Sequence, residues 1–383
     1  MKSKFLKSEH IKLYKRENSE YWQMKIKLPK KKAIRSSTGS KILKESEKIA
    51  LKYYSTLSME NKIHIKGGSK NIYKKIHLVE TADLDRKEIE FFLNEAKKFI
   101  NFNKKRIKKN NLLEGRTIFN LFFEDSTRTR TSFEVAAKRL VADIINVAVK
   151  DSSINKGETL LDTMTTINSM NPDVLIVRHP EEGISKRISL NVDASVINAG
   201  DVSHEHPTQA LLDALTIKNR FKNFSKLKIA ICGDILHSRV ARSIIIILSK
   251  LGAKINVIGP REWLPKNIKK LPVIVFTDMK KGLKNCDIVM MLRIQKERIV
   301  GKIMPNQKSY FNKYGLDYSK LKYAKRNAFV MHPGPMNRGF EIDSKLADDV
   351  TRSLIQEQVA MGVAIRMACL DILIKNRDYV LKS

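Results

Sequence analysis

The chain has 383 residues, 42% apolar and 30% charged, a composition that suits a folded chain of two or three domains. Its longest purely aliphatic run, Ile244 to Leu248, is far short of the ~20 residues a membrane-spanning helix needs, which excludes a membrane-embedded protein. Three widely spaced cysteines (Cys232, Cys286, Cys369) form no Cys-x-x-Cys pair, which argues against a zinc knuckle or a disulfide scaffold and suits the reducing cytoplasm.

The formal net charge of +33 raises nucleic-acid binding as a function class. The cations are 52 Lys and 21 Arg, and the Lys are spread through the chain among many Ile and Asn, as AT-rich coding would produce. Codon usage is the main expected cause. Several Arg, by contrast, stand in short polar contexts that need a local explanation.

Residues 1–58 carry 16 Lys+Arg against 5 Asp+Glu and form a basic extension. Residues 21–28 alternate like a strand, residues 29–32 can turn it, residues 33–37 form a second strand and residues 45–57 a helix. Strand–turn–strand–helix with this basicity resembles the arm-type DNA-binding module of phage-like integrases. A disordered basic tail and a true start at Met59 stay open beside it, and any nucleic-acid partner is expected through these residues. Trp22, the Glu residues and the dominance of Lys argue against an organelle presequence.

From His77 onward strands and helices alternate. Residues 83–100 form a helix with Asp83 as N-cap and Glu88 and Glu90 early in it. Strands follow at 116–123, 143–149, 173–177 and 195–198, with helices at 131–140, 159–169 and 208–221. A second set of strands lies at 228–233, 254–258, 273–276, 287–292 and 328–331, and residues 351–375 form a final long helix. Such repeats imply the α/β class, with two doubly wound parallel-sheet domains and the small basic N-terminal extension.

Several polar segments interrupt this pattern. Glu124-Asp125-Ser126-Thr127-Arg128-Thr129-Arg130 lies between a strand and a helix. Its hydroxyls, the first helical N–H groups and the Arg128 fork make a ready phosphate site; the alternative is a capping run with a solvated Arg pair. Arg178 to Gly183 ends a strand at the carboxyl edge, where parallel sheets bind ligands. His206-Pro207-Thr208-Gln209 opens a helix. His204 and His206 could suggest a metal pair, but no cysteine or carboxylate cluster surrounds them, and no metal is expected. Gly233 to Arg239 is a Gly-containing turn lacking the full Gly-x-Gly-x-x-Gly, so no dinucleotide is implied. Arg293 to Arg298 can be read as merely a charged helix start, and His332-Pro333-Gly334-Pro335 completes the set. Residues 151–158 are a polar loop.

From about His77 to Leu381 these segments together resemble the carbamoyltransferases, and the run from Ser126 to Arg130 matches that family's carbamoyl phosphate motif residue for residue. The resemblance implies a carbamoyl phosphate-binding domain at 75–207, completed by the helix at 351–381, and an acceptor-binding domain at 208–350. Carbamoyl phosphate is then bound by Ser126, Thr127, Arg128, Thr129, Arg178, His206, Gln209, Pro333, Gly334 and Pro335. Thr129, Arg178 and His206 are the catalytic donors to the carbonyl oxygen. The Arg239, Arg293 and Gln295 positions match those that bind the two carboxylates of L-aspartate. Ser152 and Lys156 reach in from the neighbouring subunit of a homotrimer, Lys156 toward aspartate. Gly334 is a local departure: some relatives carry Leu there, and other bacterial members a small residue.

The family's ornithine branch carries a His-Cys-Leu-Pro segment and a Ser-Met-Gly loop, both absent here. The implied reaction is carbamoyl phosphate plus L-aspartate to N-carbamoyl-L-aspartate and phosphate, the committed step of de novo pyrimidine (UMP) biosynthesis. No cofactor is implied. Regulatory chains or dihydroorotase are candidates for a larger assembly. Two other classes stand beside the enzyme: a catalytically dead binding paralogue, opposed by the intact motif positions, and a DNA-binding protein using residues 1–58.

Overall fold

The computed structural model describes residues 3–6, 10–17, 19–28, 33–66, 72–148, 159–202, 205–295 and 306–382. Strands β1 (Ser3–Leu6), β2 (Ile11–Lys15), β3 (Trp22–Ile26) and β4 (Ile34–Ser37) form an antiparallel sheet in that order, followed by helix α1 (Leu43–Lys66). Side chains alternate across a strand, so Ile11, Leu13, Trp22, Met24 and Ile26 share one face. That face is buried with Ile49 and Ala50 of α1. The basic extension therefore has a core of its own, and α1 passes through Met59 without a break. β1 and β2 were not anticipated from sequence; both are short, β1 has only two apolar residues, and β2 carries Lys12 between Ile11 and Leu13. Leu190 from the body of the protein joins this core, and Lys52 pairs with Asp193 at 3.0 Å, so the module docks on the body.

The body begins with α2 (Arg86–Phe102). Its N-cap is Asp85 rather than the expected Asp83, which lies in the short turn Thr81–Asp83. Asp85 accepts from Glu88 N and the Glu88 carboxylate accepts from Asp85 N, both at 2.8 Å, a reciprocal box that only Asp85 is spaced to make. Next come β5 (Thr117–Phe122), α3 (Thr127–Arg139), β6 (Asp143–Ala148), α4 (Leu160–Asn168), β7 (Val174–His179), α5 (Ile184–Ser189) and β8 (Ser195–Asp201). These strands form a parallel sheet in the order β6-β5-β7-β8. Helix α6 (Pro207–Arg220) leads out of it.

The second half contains β9 (Lys228–Cys232), α7 (Arg239–Lys250), β10 (Lys254–Ile258), β11 (Val273–Phe276), α8 (Met279–Leu283), β12 (Ile288–Met291), α9 (Gln307–Tyr314), α10 (Tyr318–Leu321), β13 (Phe329–Met331) and α11 (Ser344–Asp348). Its sheet is parallel, in the order β11-β10-β9-β12-β13. Helix α12 (Ile355–Leu381) then returns to the first half. Its Ile365, Leu370 and Leu373 share one core with Phe92 of α2, Phe133 of α3 and Leu211 of α6. Fully burying each such side chain is worth ~1.5–3 kcal/mol. The same core continues into Ile231 of β9 and Ile244 of α7, which fixes the halves against each other. Among the described residues no helix is long and apolar enough to cross a membrane.

This topology places the polar segments. Glu124 follows β5, Arg178 lies near the end of β7 and His206 follows β8. In the second half Arg239 begins α7 after β9, Arg293 follows β12 and His332 follows β13. All stand at carboxyl edges of parallel strands, and the two edges meet at one cleft.

Candidate active site

The cleft has a volume of about 560 Å3. Ser126, Thr127, Arg128, Thr129, Arg178, His206, Gln209, Arg239, Arg293, Gln295, Pro333, Gly334 and Pro335 all line it. Ser152, Lys156 and His204 lie outside the described residues.

At one end stands the start of α3. Ser126 is its N-cap residue and makes no side-chain cap hydrogen bond, which leaves its hydroxyl and the first N–H groups of the helix available to an anion. Arg128 lies against the loop after β13. Gly334 has φ +65°, and a Cβ there would come within 3.2 Å of Arg128 Nε, so a glycine allows this close approach. His332 anchors the loop: Gly334 N donates to its Nδ1 at 2.9 Å, while its Nε2 lies 3.3 Å from Glu341 Oε1. An Nδ1 that accepts is unprotonated, so the ring is the neutral tautomer with its proton on Nε2. Burial, the largest influence, also holds the His332 pKa down, against the opposing pull of Glu341.

In the centre, Glu124 Oε2 joins the two halves, lying 3.2 Å from Arg178 Nη2 and 2.8 Å from Arg239 Nη2. Gly200, near the end of β8, lets these guanidiniums converge. Its φ is +120°, and a Cβ would lie 3.0 Å from Nη1 of both arginines. His206 is 4% exposed. Burial first, then Arg178, Arg366 and Arg239, push its pKa well below 6.5, so the imidazole is neutral. Its backbone N donates to Ser243 Oγ at 2.9 Å, and Ser243 Oγ donates to Glu205 at 2.7 Å.

Beneath Gln209 lies Asp213, fully buried. Its Oδ1 accepts from Gln209 Nε2 at 3.1 Å and from Gln358 Nε2 at 2.7 Å. Burial pushes its carboxyl up to about 7, against the lowering effect of the two amides and Arg366. Gln358 Oε1 in turn accepts from His332 N at 2.9 Å, joining the α6 network to the β13 loop. At the other end Arg293 Nη1 donates to Gln295 Oε1 at 3.2 Å. Arg239 Nη1 is buried without a hydrogen-bond partner, a donor that an incoming anion would satisfy.

Sequence reasoning assigned no role to Glu124, Gly200, Asp213, Gln358 or Arg366. Arg366 left a signal, an Arg inside the apolar run 361–370 of α12. It donates to Ser132 Oγ at 2.8 Å and lies over the Phe133 ring at 5.0 Å. Among the described residues no cluster of three or more His, Cys, Asp or Glu could hold a metal ion.

Two family models match the chain. One, described as the carbamoyl-P binding domain of aspartate/ornithine carbamoyltransferase, covers residues 76–219; the other, its Asp/Orn binding domain, covers residues 225–373. The aspartate carbamoyltransferase catalytic subunit of Pelagibacter ubique is 55% identical over 77% of this chain and 95% of its own. That of Parvibaculum lavamentivorans is 56% identical over 78% of this chain and 92% of its own. Among solved structures, Trypanosoma cruzi aspartate transcarbamoylase in complex with carbamoyl phosphate and aspartate superposes with a TM-score of 0.69. It is 30% identical over 77% of this chain and 95% of that one. The ornithine carbamoyltransferase of Pyrococcus furiosus also gives 0.69, at 26% identity over 78% of this chain and 97% of its own.

Proposed function

The chain belongs to the aspartate/ornithine carbamoyltransferase family, and we propose from that premise how its cleft makes N-carbamoyl-L-aspartate, in the committed step of pyrimidine biosynthesis. One observation carries the reading. Arg128 and Arg178 from the first half, and Arg239 and Arg293 from the second, converge on one cleft around a neutral His206. An anion-reading pair at each end suits a phosphate on one side and a dicarboxylic amino acid on the other.

The phosphate of carbamoyl phosphate binds at the α3 N-terminus, held by Ser126, Thr127, Arg128 and Thr129, with the 333–335 loop beside it. Gln209 holds the carbamoyl amide. Arg239, Arg293 and Gln295 hold the aspartate carboxylates, so that the amine faces the carbonyl carbon. The new N–C bond forms as the C–O bond to phosphate breaks, and the departing phosphate takes the proton from the amine. Negative charge grows on the carbonyl oxygen during attack. Thr129, Arg178 and His206 donate to it, and preorganised donors of this kind are worth ~3–4 kcal/mol each. His206 acts as a neutral hydrogen-bond donor, and much of the remaining acceleration comes from holding the two substrates together. Glu124 keeps Arg178 and Arg239 aligned between turnovers.

Side-by-side assays with L-aspartate and L-ornithine test the acceptor. Carbamoyl aspartate is the expected product; citrulline alone would overturn the assignment. Ser152 and Lys156 complete the site from the next subunit of a homotrimer. Mixed refolding of Lys156→Gln and His206→Ala chains should then restore about a quarter of the wild-type sites, the product of two even chances in a cyclic oligomer. Hybrids no more active than the separate mutants would mean that each chain builds its own site. The three cysteines are free and buried, which suits a reducing compartment, and we place the enzyme in the cytoplasm.

A further inference from the structure

The amino-terminal module lies outside the segments matched by the carbamoyltransferase models, and its sheet has a second face that the catalytic reading does not use. Strand register places Phe5, Lys12, Lys25 and Arg35 directly opposite one another across all four strands. They alternate with residues such as Leu13 and Met24 that enter the core, so this row occupies the other face of the sheet. Strands lie ~4.8 Å apart, so the three cations form a line ~10 Å long.

Like charges directly opposite each other destabilise a sheet, which makes this a costly arrangement for a module with no anionic partner. The general abundance of Lys does not explain it, because three acidic residues of the module, Glu20, Glu45 and Glu47, are engaged elsewhere. Glu47 pairs with Lys4 and Glu45 accepts from Ser40, both at the α1 side, while Glu20 pairs with Lys41 in the loops.

The second observation concerns the aromatic rings. Phe5 is 53% exposed, and Tyr14 is its diagonal neighbour, opposite Ser3. Lys12 Nζ lies 5.1 Å from the centre of the Phe5 ring, and the Arg16 guanidinium 5.9 Å from that of Tyr14. Phosphate neutralisation alone gives no use for an exposed phenyl ring. Flat rings beside a line of cations suit a strand whose bases are unpaired and free to stack.

We propose that the outer face of the amino-terminal sheet binds single-stranded nucleic acid, with phosphates along Lys12, Lys25 and Arg35 and bases stacked on Phe5 and Tyr14. The test measures fluorescence anisotropy of labelled oligothymidylate, oligouridylate and a DNA duplex with the full-length protein over a salt series, alongside co-sedimentation with phosphatidylserine vesicles. Lys12→Gln/Lys25→Gln/Arg35→Gln should weaken single-strand binding at least ~tenfold and flatten the dependence of log K on log salt by about 2. Phe5→Ala should cost single-strand binding about tenfold and duplex binding much less. The comparison of thymidylate with uridylate identifies the sugar preferred. A charge-matched control, Lys97→Gln/Lys104→Gln/Lys105→Gln, should change little, and all variants should still form carbamoyl aspartate. Equal losses in the two triple variants would overturn the proposal, leaving only bulk charge. So would an unaffected Phe5→Ala, or tighter binding to duplex or vesicles than to single strands.

Discussion

In the half of the cleft built on β5, β7 and β8, the His206 backbone N donates to Ser243 of α7, itself bonded to Glu205, and Gln209 is held by Asp213 of its own helix together with Gln358 of α12. In the half built on β9 and β12, Arg239 is aligned by Glu124, a carboxylate from the opposite half, and Arg293 leans on Gln295. The end that holds His206 and Gln209 is thus tied into a buried network reaching α7 and α12, whereas the end that holds Arg239 and Arg293 rests on Glu124 and Gln295. A fixed arrangement suits the end where charge develops, and an adjustable one suits the end that only positions an acceptor.

The largest expected effect comes from breaking the fixed side. His206→Ala should lower kcat by about 100- to 1000-fold with little change in either KM, since its donor matters most in the transition state. His206→Asn, which keeps an N–H donor, should recover part of the loss. Because burial and three arginines hold the His206 pKa far below 6.5, the ratio of wild-type to His206→Ala kcat should stay flat across neutral pH. A ratio that collapses on mild acidification would mean that the ring titrates there.

Arg293→Ala attacks the adjustable side. Removing one partner of a carboxylate pair costs about 2 kcal/mol or more, so KM for aspartate should rise roughly thirtyfold or more while carbamoyl phosphate affinity holds. Equal losses for both substrates, read by titration and steady-state kinetics, would dissolve the distinction between the halves. Gly200→Ala should injure both ends together, because its methyl would crowd Arg178 and Arg239 alike. The strain of a non-glycine residue at this φ is of order 1–3 kcal/mol, so kcat/KM should fall about tenfold along with some loss of thermal stability. A defect confined to aspartate binding would show that Arg178 is held by other contacts.

The smallest effect on turnover concerns Asp213, and its signature is in stability. Its folded carboxyl is pushed up to about 7 from the 3.8 of a free aspartate, so the folded state keeps the proton longer than the unfolded chain. The resulting stability is fully present below about pH 4 and is lost as pH rises through about 7. Relative to Asp213→Asn, the wild type should lose up to roughly 1.4 kcal/mol per pH unit within that window, measured by urea unfolding. A constant difference across the window would show that the buried carboxyl is ionised throughout.

Much of this was legible in the sequence. The run from Ser126 to Arg130 is contiguous, with its hydroxyls and Arg128 within five residues of one helix start. Strand spacing placed the Arg178 segment at a carboxyl edge, and the fold puts the other motifs there too. Glu124 stood in the same run, yet its use appears only when Arg178 and Arg239, far apart in the chain, arrive on either side of its carboxylate. Gly200 left no motif, because its purpose is the room above its Cα. Asp83 and Asp85 are both plausible caps by type, and the distance to Glu88 decided between them. In the amino-terminal module β1 was hidden for a different reason: its outward residues are exposed, so alternation alone was a weak signal in four residues.

The return of α12 to the first half has a consequence for synthesis. Phe92, Phe133 and Leu211 are translated early, but their cover includes Ile365, Leu370 and Leu373, near the carboxyl end. At ~5–20 residues per second, roughly 8 to 30 seconds separate emergence of α6 from completion of α12. Throughout that interval the nascent first half presents an open apolar flank, which makes the ribosome-bound chain a natural client for chaperones that shield such surfaces.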